Sequence, residues 1–327
     1  MRVPILVLTS LVLTFFTLGI LPMRLQAQKS TPDLILQAFH SWSEGQPKAA
    51  IAILEPMLQA GVNGAEERDL GVAWNVLGSA YMDLEMYDKA ERAYQQSIEK
   101  LRAIPAAQAQ YASSIDSLGT LEESLGQKDQ AKALCEKARH IYEGLGDSAG
   151  VAITSTNLAV IAYGKKDFKG ARRNMERASQ EAQHATGMGD DDVAAMDAMS
   201  SALALHDGRN EEAMSTIQQA IDHWKHAHGP GYFMLGTGYL LRAQALAKSG
   251  DYPRAIADAR QALAIAEGAV GRNTFAYVSA ENVYARILQA SGAKEEGARL
   301  RKEATGTLAD LELRLCNGCT ISASGFR

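Results

Sequence analysis

Trp74-Asn75-Val76-Leu77-Gly78-Ser79-Ala80-Tyr81, followed by Ala90 and Tyr94, is the stretch that decides the fold. Leu77 and Tyr81 stand at i and i+4, on one face of a helix. Gly78 and Ala90 have no bulk, so a second helix carrying Ala90 and Tyr94 can lie against the first at close range. Glu85-Met86-Tyr87-Asp88, between the two, is short enough to be only a turn, with Tyr87 placed to cap the crevice. These residues predict a tight antiparallel helical hairpin.

The hairpin is repeated along the chain. Its small second-helix residue returns as Ala50, Ala90, Ala131, Ala171, Ala213, Ala255 and, more weakly, Gly297, at intervals of 40, 41, 40, 42, 42 and 42 residues. Four residues later come Leu54, Tyr94, Cys135, Met175, Ile217, Ala259 and Arg301, and three further on Met57, Ser97, Ala138, Ala178, Ala220, Ala262 and Ala304. Most are apolar or small, one stripe per repeat. Gly45, Gly126, Gly208, Gly250 and Gly292 each precede the small residue by five positions, where a left-handed cap ends the first helix. The chain is therefore read as about seven antiparallel hairpins in an all-α stack. Glu295 to Leu315 alternates charged residues with Leu300, Leu308, Leu311 and Leu315, as suits a terminal capping helix.

Trp74, Leu77, Gly78, Tyr81, Ala90 and Tyr94 reproduce the order and spacing of the tetratricopeptide (TPR) signature. TPR units usually run to about 34 residues and HEAT or armadillo units to about 40–47, so period alone would favour the wrong family. The Trp-Leu-Gly-Tyr spacing decides for TPR. The chain resembles TPR proteins with long units like those of kinesin light chains, carried by Thr156-Asn157-Leu158-Ala159 and the loop His228-Gly229-Pro230-Gly231, and of an exported bacterial type. The resemblance spans roughly residues 33–313. It implies a right-handed superhelical solenoid whose concave face, lined by the first helix of each hairpin, grips a peptide or protein segment.

Composition agrees with a folded helical protein: 46% hydrophobic residues, 22% charged, only 6% aromatic, and alanine throughout. Arg2, the uncharged run 3–21 and Leu25-Gln26-Ala27 read as an export signal over 1–27, with a solenoid over 28–313 and a tail over 314–327. Removing Arg2 and Arg24 leaves 31 basic against 38 acidic residues, a net charge of −7, which argues against nucleic-acid binding. An extracytoplasmic location, periplasmic or secreted, is expected. The run 3–21 is long for a signal peptide, and uncleaved it would anchor the protein in a membrane.

No phosphate-binding loop, nucleophile elbow or His-Glu-x-x-His motif is present, so no enzyme activity and no cofactor are expected. His223, His226 and His228 with Asp222 form the densest histidine cluster, and the i, i+3 pair His223 and His226 could face a metal, but two helix-spaced histidines are a weak signal; a solvated helix end at the negative pole of its dipole is the preferred reading, and no metal site is expected. Asp190, Asp191 and Asp192 read as cap and first-turn residues, without the alternation of a calcium loop. Lys165, Lys166, Lys169, Arg172, Arg173 and Arg177 form a basic face, read as solvated. Cys316-Asn317-Gly318-Cys319 in the tail suits a local disulfide across a tight turn; a redox role or a bond to another chain is the alternative. Cys135 sits in the packing stripe and reads as a small hydrophobe.

Aligning the first helices places Asn75, Ser79, Asp116, Thr120, Thr156, Asn157, Val160, Gln244, Asn282 and Arg286 on the concave side. Mixed polar groups of this kind can hydrogen-bond an extended backbone, and an asparagine amide both donates and accepts. Asn75 and Ser79 stand where the TPR clamp for chaperone tails would require Lys and Asn, which disfavours that ligand. The leading expectation is a non-enzymatic scaffold for a protein or peptide partner. A thiol or metal function at Cys316 and Cys319, or an assembly factor anchored by residues 3–21, is the rival.

Overall fold

A computed structural model describes residues 30–61 and 65–315, without the side chains of residues 312–315. The expected export or anchor segment and the Cys316/Cys319 tail lie outside the described residues. Fourteen α-helices follow one another as seven hairpins: α1 (Thr31–Ser43) with α2 (Pro47–Ala60), α3 (Glu67–Asp83) with α4 (Tyr87–Leu101), α5 (Gln108–Ser124) with α6 (Lys128–Leu145), α7 (Ser148–Gly164) with α8 (Phe168–Ala182), α9 (Asp190–His206) with α10 (Asn210–His228), α11 (Met234–Lys248) with α12 (Tyr252–Ala269), and α13 (Phe275–Ser291) with α14 (Lys294–Leu315). No strand occurs among the described residues. Each helix packs on the next in sequence and the first helices of adjacent hairpins also touch. This is an all-α solenoid, as the period predicts.

The repeating small residues are where helices meet. Ala50, Ala90, Ala131, Ala171, Ala213 and Ala255 are all completely buried. A Cβ on Gly78 would lie 2.6 Å from the Tyr94 ring, and one on Gly297 would lie 2.6 Å from the backbone oxygen of Ala285. Gly297, the faint member of the series in sequence, is thus as tightly constrained as the others. Arg301 departs from its stripe and is exposed, leaving Ala304, Leu308 and Leu311 to seal the end against Val278 and Phe275.

Five of the seven intra-hairpin turns place glycine in the left-handed region, with φ from 74° at Gly45 to 104° at Gly292. In the second and fourth hairpins Glu85 (φ 54°) and Lys166 (φ 62°) hold the same place. The second-hairpin turn is Leu84-Glu85-Met86; Tyr87 and Asp88 already belong to α4, and Tyr87 is buried as its capping role requires. Asp147 and Thr274 cap α7 and α13, accepting from the Gly150 and Tyr277 amides. At α9 the cap is Gly189, whose N–H donates to Asp192 at 3.0 Å. The described residues from Thr31 to Leu315 form one compact unit.

Candidate functional site

Within that unit the early hairpins meet the late ones. The Glu85 carboxylate accepts the backbone N–H groups of Phe275 and Ala276, at 2.7 and 2.8 Å, across 190 residues of sequence. These are the first two residues of α13, whose amides have no partner inside their own helix and sit at the positive end of its dipole. Burial pushes the Glu85 carboxyl up, and the two amides oppose that shift. Phe275 rests beside Tyr87, ring centroids 6.4 Å apart. The Tyr232 ring lies over Gly45, so close that a Cβ there would come within 3.0 Å of it. His228 stacks on Tyr232 at 3.9 Å and bonds Asp191 at 2.8 Å.

This seam encloses space. A cavity of about 390 Å³ is walled on one side by Met82, Tyr87 and Thr120 and on the other by Met234, Thr237, Leu240 and Ser279. The first helices of the second, third, sixth and seventh hairpins therefore face one another across it. A second cavity, of about 660 Å³, runs along the seam between the turn Gly45–Ala49, the loop at Pro230 and Gly231, and α12. A smaller hollow of about 140 Å³ lies between α13 and α14.

The expected concave residues are distributed unevenly. Thr120 is exposed and lines the 390 Å³ cavity, although its hydroxyl donates to the Asp116 backbone oxygen. Asn282 and exposed Arg286 line the 140 Å³ hollow. Val160 is exposed at 38%. Asp116 and Thr156 are buried: Asn157 donates to the Asp116 carboxylate at 2.7 Å, and Thr156 bonds back to Ala152. Burial raises the Asp116 carboxyl to about 6 against the pull of Cys135 and Asn157. Asn75 donates weakly to Ser113 at 3.4 Å, and its amide oxygen is buried with no hydrogen-bond partner. Ser79 takes a bond from Tyr94, and Gln244 bonds back to Leu240.

Other sequence candidates are absorbed by hairpin-to-hairpin contacts. His223 and His226 both face Asp190, at 3.3 and 2.9 Å, and no three His, Cys, Asp or Glu side chains are placed to hold a metal ion together among the described residues. In the basic stretch Lys165 pairs with Asp129, Arg172 with Asp207, and Arg177 with Glu143 and Glu181. Cys135 is completely buried against Gly119.

The residues that sequence reasoning missed are Asp83 and Glu85. Only Glu85 leaves a trace in the sequence, as a non-glycine where five other hairpins have glycine. Asp83 is the last residue of α3, half-buried, and accepts the Trp42 indole N–H at 2.8 Å.

Comparison with known proteins agrees with the architecture. A family model described as tetratricopeptide repeat matches residues 69–143 and 192–268, the second and third and the fifth and sixth hairpins. The fold resembles a Rap conjugation gene regulator of plasmid pLS20 in complex with the Phr* peptide, at TM-score 0.68 and 14% identity, covering 94% of this chain and 83% of that one. It also resembles a Rap protein complexed with competence and sporulation factor, at TM-score 0.61 and 13% identity over 86% of this chain and 77% of that one. A third likeness is to the apo form of RapI, at TM-score 0.60 and 10% identity over 86% and 99%. At these identities the likeness is one of fold. No curated protein sequence matches the chain significantly.

Proposed function

Since the chain is a tetratricopeptide-repeat protein, we propose that it is a non-catalytic scaffold holding an extended protein segment against the inner faces of its first helices. The observation that carries this reading is the 390 Å³ cavity: α3 and α5 confront α11 and α13 across it, offering Thr120, Thr237 and Ser279 beside Met82 and Leu240. Hydroxyls can bond a peptide backbone while the apolar groups take its side chains. Two of the fold relatives are complexes with peptide or protein factors, which supports a partner of that class. Asn75, Ser79, Asn157, Val160, Gln244, Asn282 and Arg286 are proposed to extend the binding face beyond the cavity, whereas Asp116 and Thr156, expected there from the sequence, are buried and serve packing instead. The protein is proposed to act outside the cytoplasm, a reading resting on residues 1–27.

The test is affinity capture with the mature chain, followed by cross-linking to map the captured segment. Thr120→Arg together with Asn282→Ala and Arg286→Ala is expected to weaken capture about tenfold or more, since a few interface residues usually dominate affinity. Unchanged capture, or cross-links confined to α2, α4 and α6, would refute the groove assignment.

A further inference from the structure

Asp83 occupies a position that binding along the groove does not explain. It lines both the 390 Å³ and the 660 Å³ cavities, which also share Phe233 and Ala269, so it stands where the two adjoin. Trp42 supplies one hydrogen bond, and no basic side chain pairs with Asp83 among the described residues. Glu85, the other carboxylate of the smaller cavity, is committed to the α13 amides, and Lys48 is the one basic residue lining the larger. Asp191, which also acts on Asp83, is engaged with His228.

A carboxylate recessed beside apolar walls and joined in no ion pair is costly, and the protein could have avoided that with asparagine, which would accept the same indole N–H. What asparagine could not do is attract a cation. Met82, Met234, Leu240 and Val270 supply apolar contact on one side and Phe233 borders both cavities, an aromatic neighbour suited to a positive charge. Both volumes fall in the range of about 300–1,000 Å³ typical of small-ligand sites.

We infer that Asp83 anchors a binding site for a small organic cation, a protonated amine on an apolar body, at the seam where the early and late hairpins meet. The site shares the 390 Å³ cavity with the proposed groove but goes beyond that reading, because it needs neither a protein partner nor the polar groups of α7 and α13. The ammonium would donate to the carboxylate in a charge-assisted hydrogen bond, and the body would fill the apolar cavity. Burial holds the empty site's carboxyl up at about 7, so a bound cation would favour the ionised form and bring that value down.

The test is a fluorescence titration of the full chain with dansylcadaverine, and with dansylamide as the same fluorophore lacking the ammonium. Saturable binding of the amine is expected, tighter than that of the neutral analogue by about tenfold or more, the margin of one charge-assisted contact. Asp83→Asn should abolish that preference while leaving the helical circular dichroism intact and melting at a temperature no lower than the parent's. Ala269→Trp, which fills both cavities, should abolish binding of both probes. Absence of saturable binding, equal affinity for the two probes, or an amine preference that survives Asp83→Asn would each overturn the assignment. Should Asp83→Asn fail to fold, the probe preference of the unaltered chain and its loss in Ala269→Trp decide the matter.

Discussion

Two residues in the left-handed region show how one backbone geometry can serve different ends. Lys166 and Glu85 hold the position that glycine fills in the other five hairpins. Lys166 is exposed, and Lys166→Gly is expected to stabilise the protein by up to about 1 kcal/mol by relieving Cβ crowding. Glu85→Gly relieves the same crowding but strips two helix-start amides of their acceptor, so it is expected to destabilise by about 1–3 kcal/mol. Urea midpoints of the two variants check this, and shifts of the same sign would contradict it. Asp83 gives a pH signature. Its folded-state value of about 7 lies above that of an unfolded carboxyl, because burial disfavours the charge and Asp191 adds to that, while the Trp42 bond opposes it. The stability that Asp83 contributes is therefore fully present below about pH 4 and is lost as pH climbs through about 7, and Asp83→Asn should remove that share of the pH dependence. Asp191, Tyr94 and Tyr232 interact with Asp83, and Glu85 and Lys48 line the cavities that it borders. A variant no more stable than the parent near pH 8, where Asp83 is ionised, would contradict this, as would a difference that persists near pH 4.

At the scale of the element, what was legible in the sequence was what one helix demands of its neighbour. Gly78 and Ala90 must be small because Tyr94 and the facing backbone leave no room, and that requirement recurs with each hairpin. The seven hairpins, their turns and the capping role of α14 were readable for that reason. Side chains on the inner face were less so: Thr120, Thr156 and Gln244 all bond back to their own helices, which a sequence position cannot distinguish from reaching outward to a ligand. The last helix carries a paired test. Gly297→Ala puts a methyl group against an unyielding backbone oxygen and is expected to cost about 1–3 kcal/mol. Gly306→Ala, in the same helix with no described residue near its Cβ, is expected to gain about 0.5–1 kcal/mol. Thermal unfolding distinguishes them, and equal effects would mean that α14 does not pack as described.

For the solenoid as a whole, stability is not the plain nearest-neighbour sum expected of a linear stack, because the second hairpin also holds the seventh. This contact was not legible in the sequence: it joins residues 190 positions apart and arises from small rotations accumulated over the intervening hairpins, which leave no local pattern. It also creates the space between α3 and α5 on one side and α11 and α13 on the other, on which the proposed binding depends. Amide hydrogen exchange at Phe275 and Ala276 tests the contact most directly. The first amides of an α-helix have no intrahelical acceptor and ordinarily exchange fast, so protection at these two that depends on Glu85 reports its carboxylate bonds across the seam. The expected result is clear protection in the parent chain, lost in Glu85→Ala with the interior of α13 unaffected. Fast exchange in the parent, or protection that survives Glu85→Ala, would contradict the closed seam.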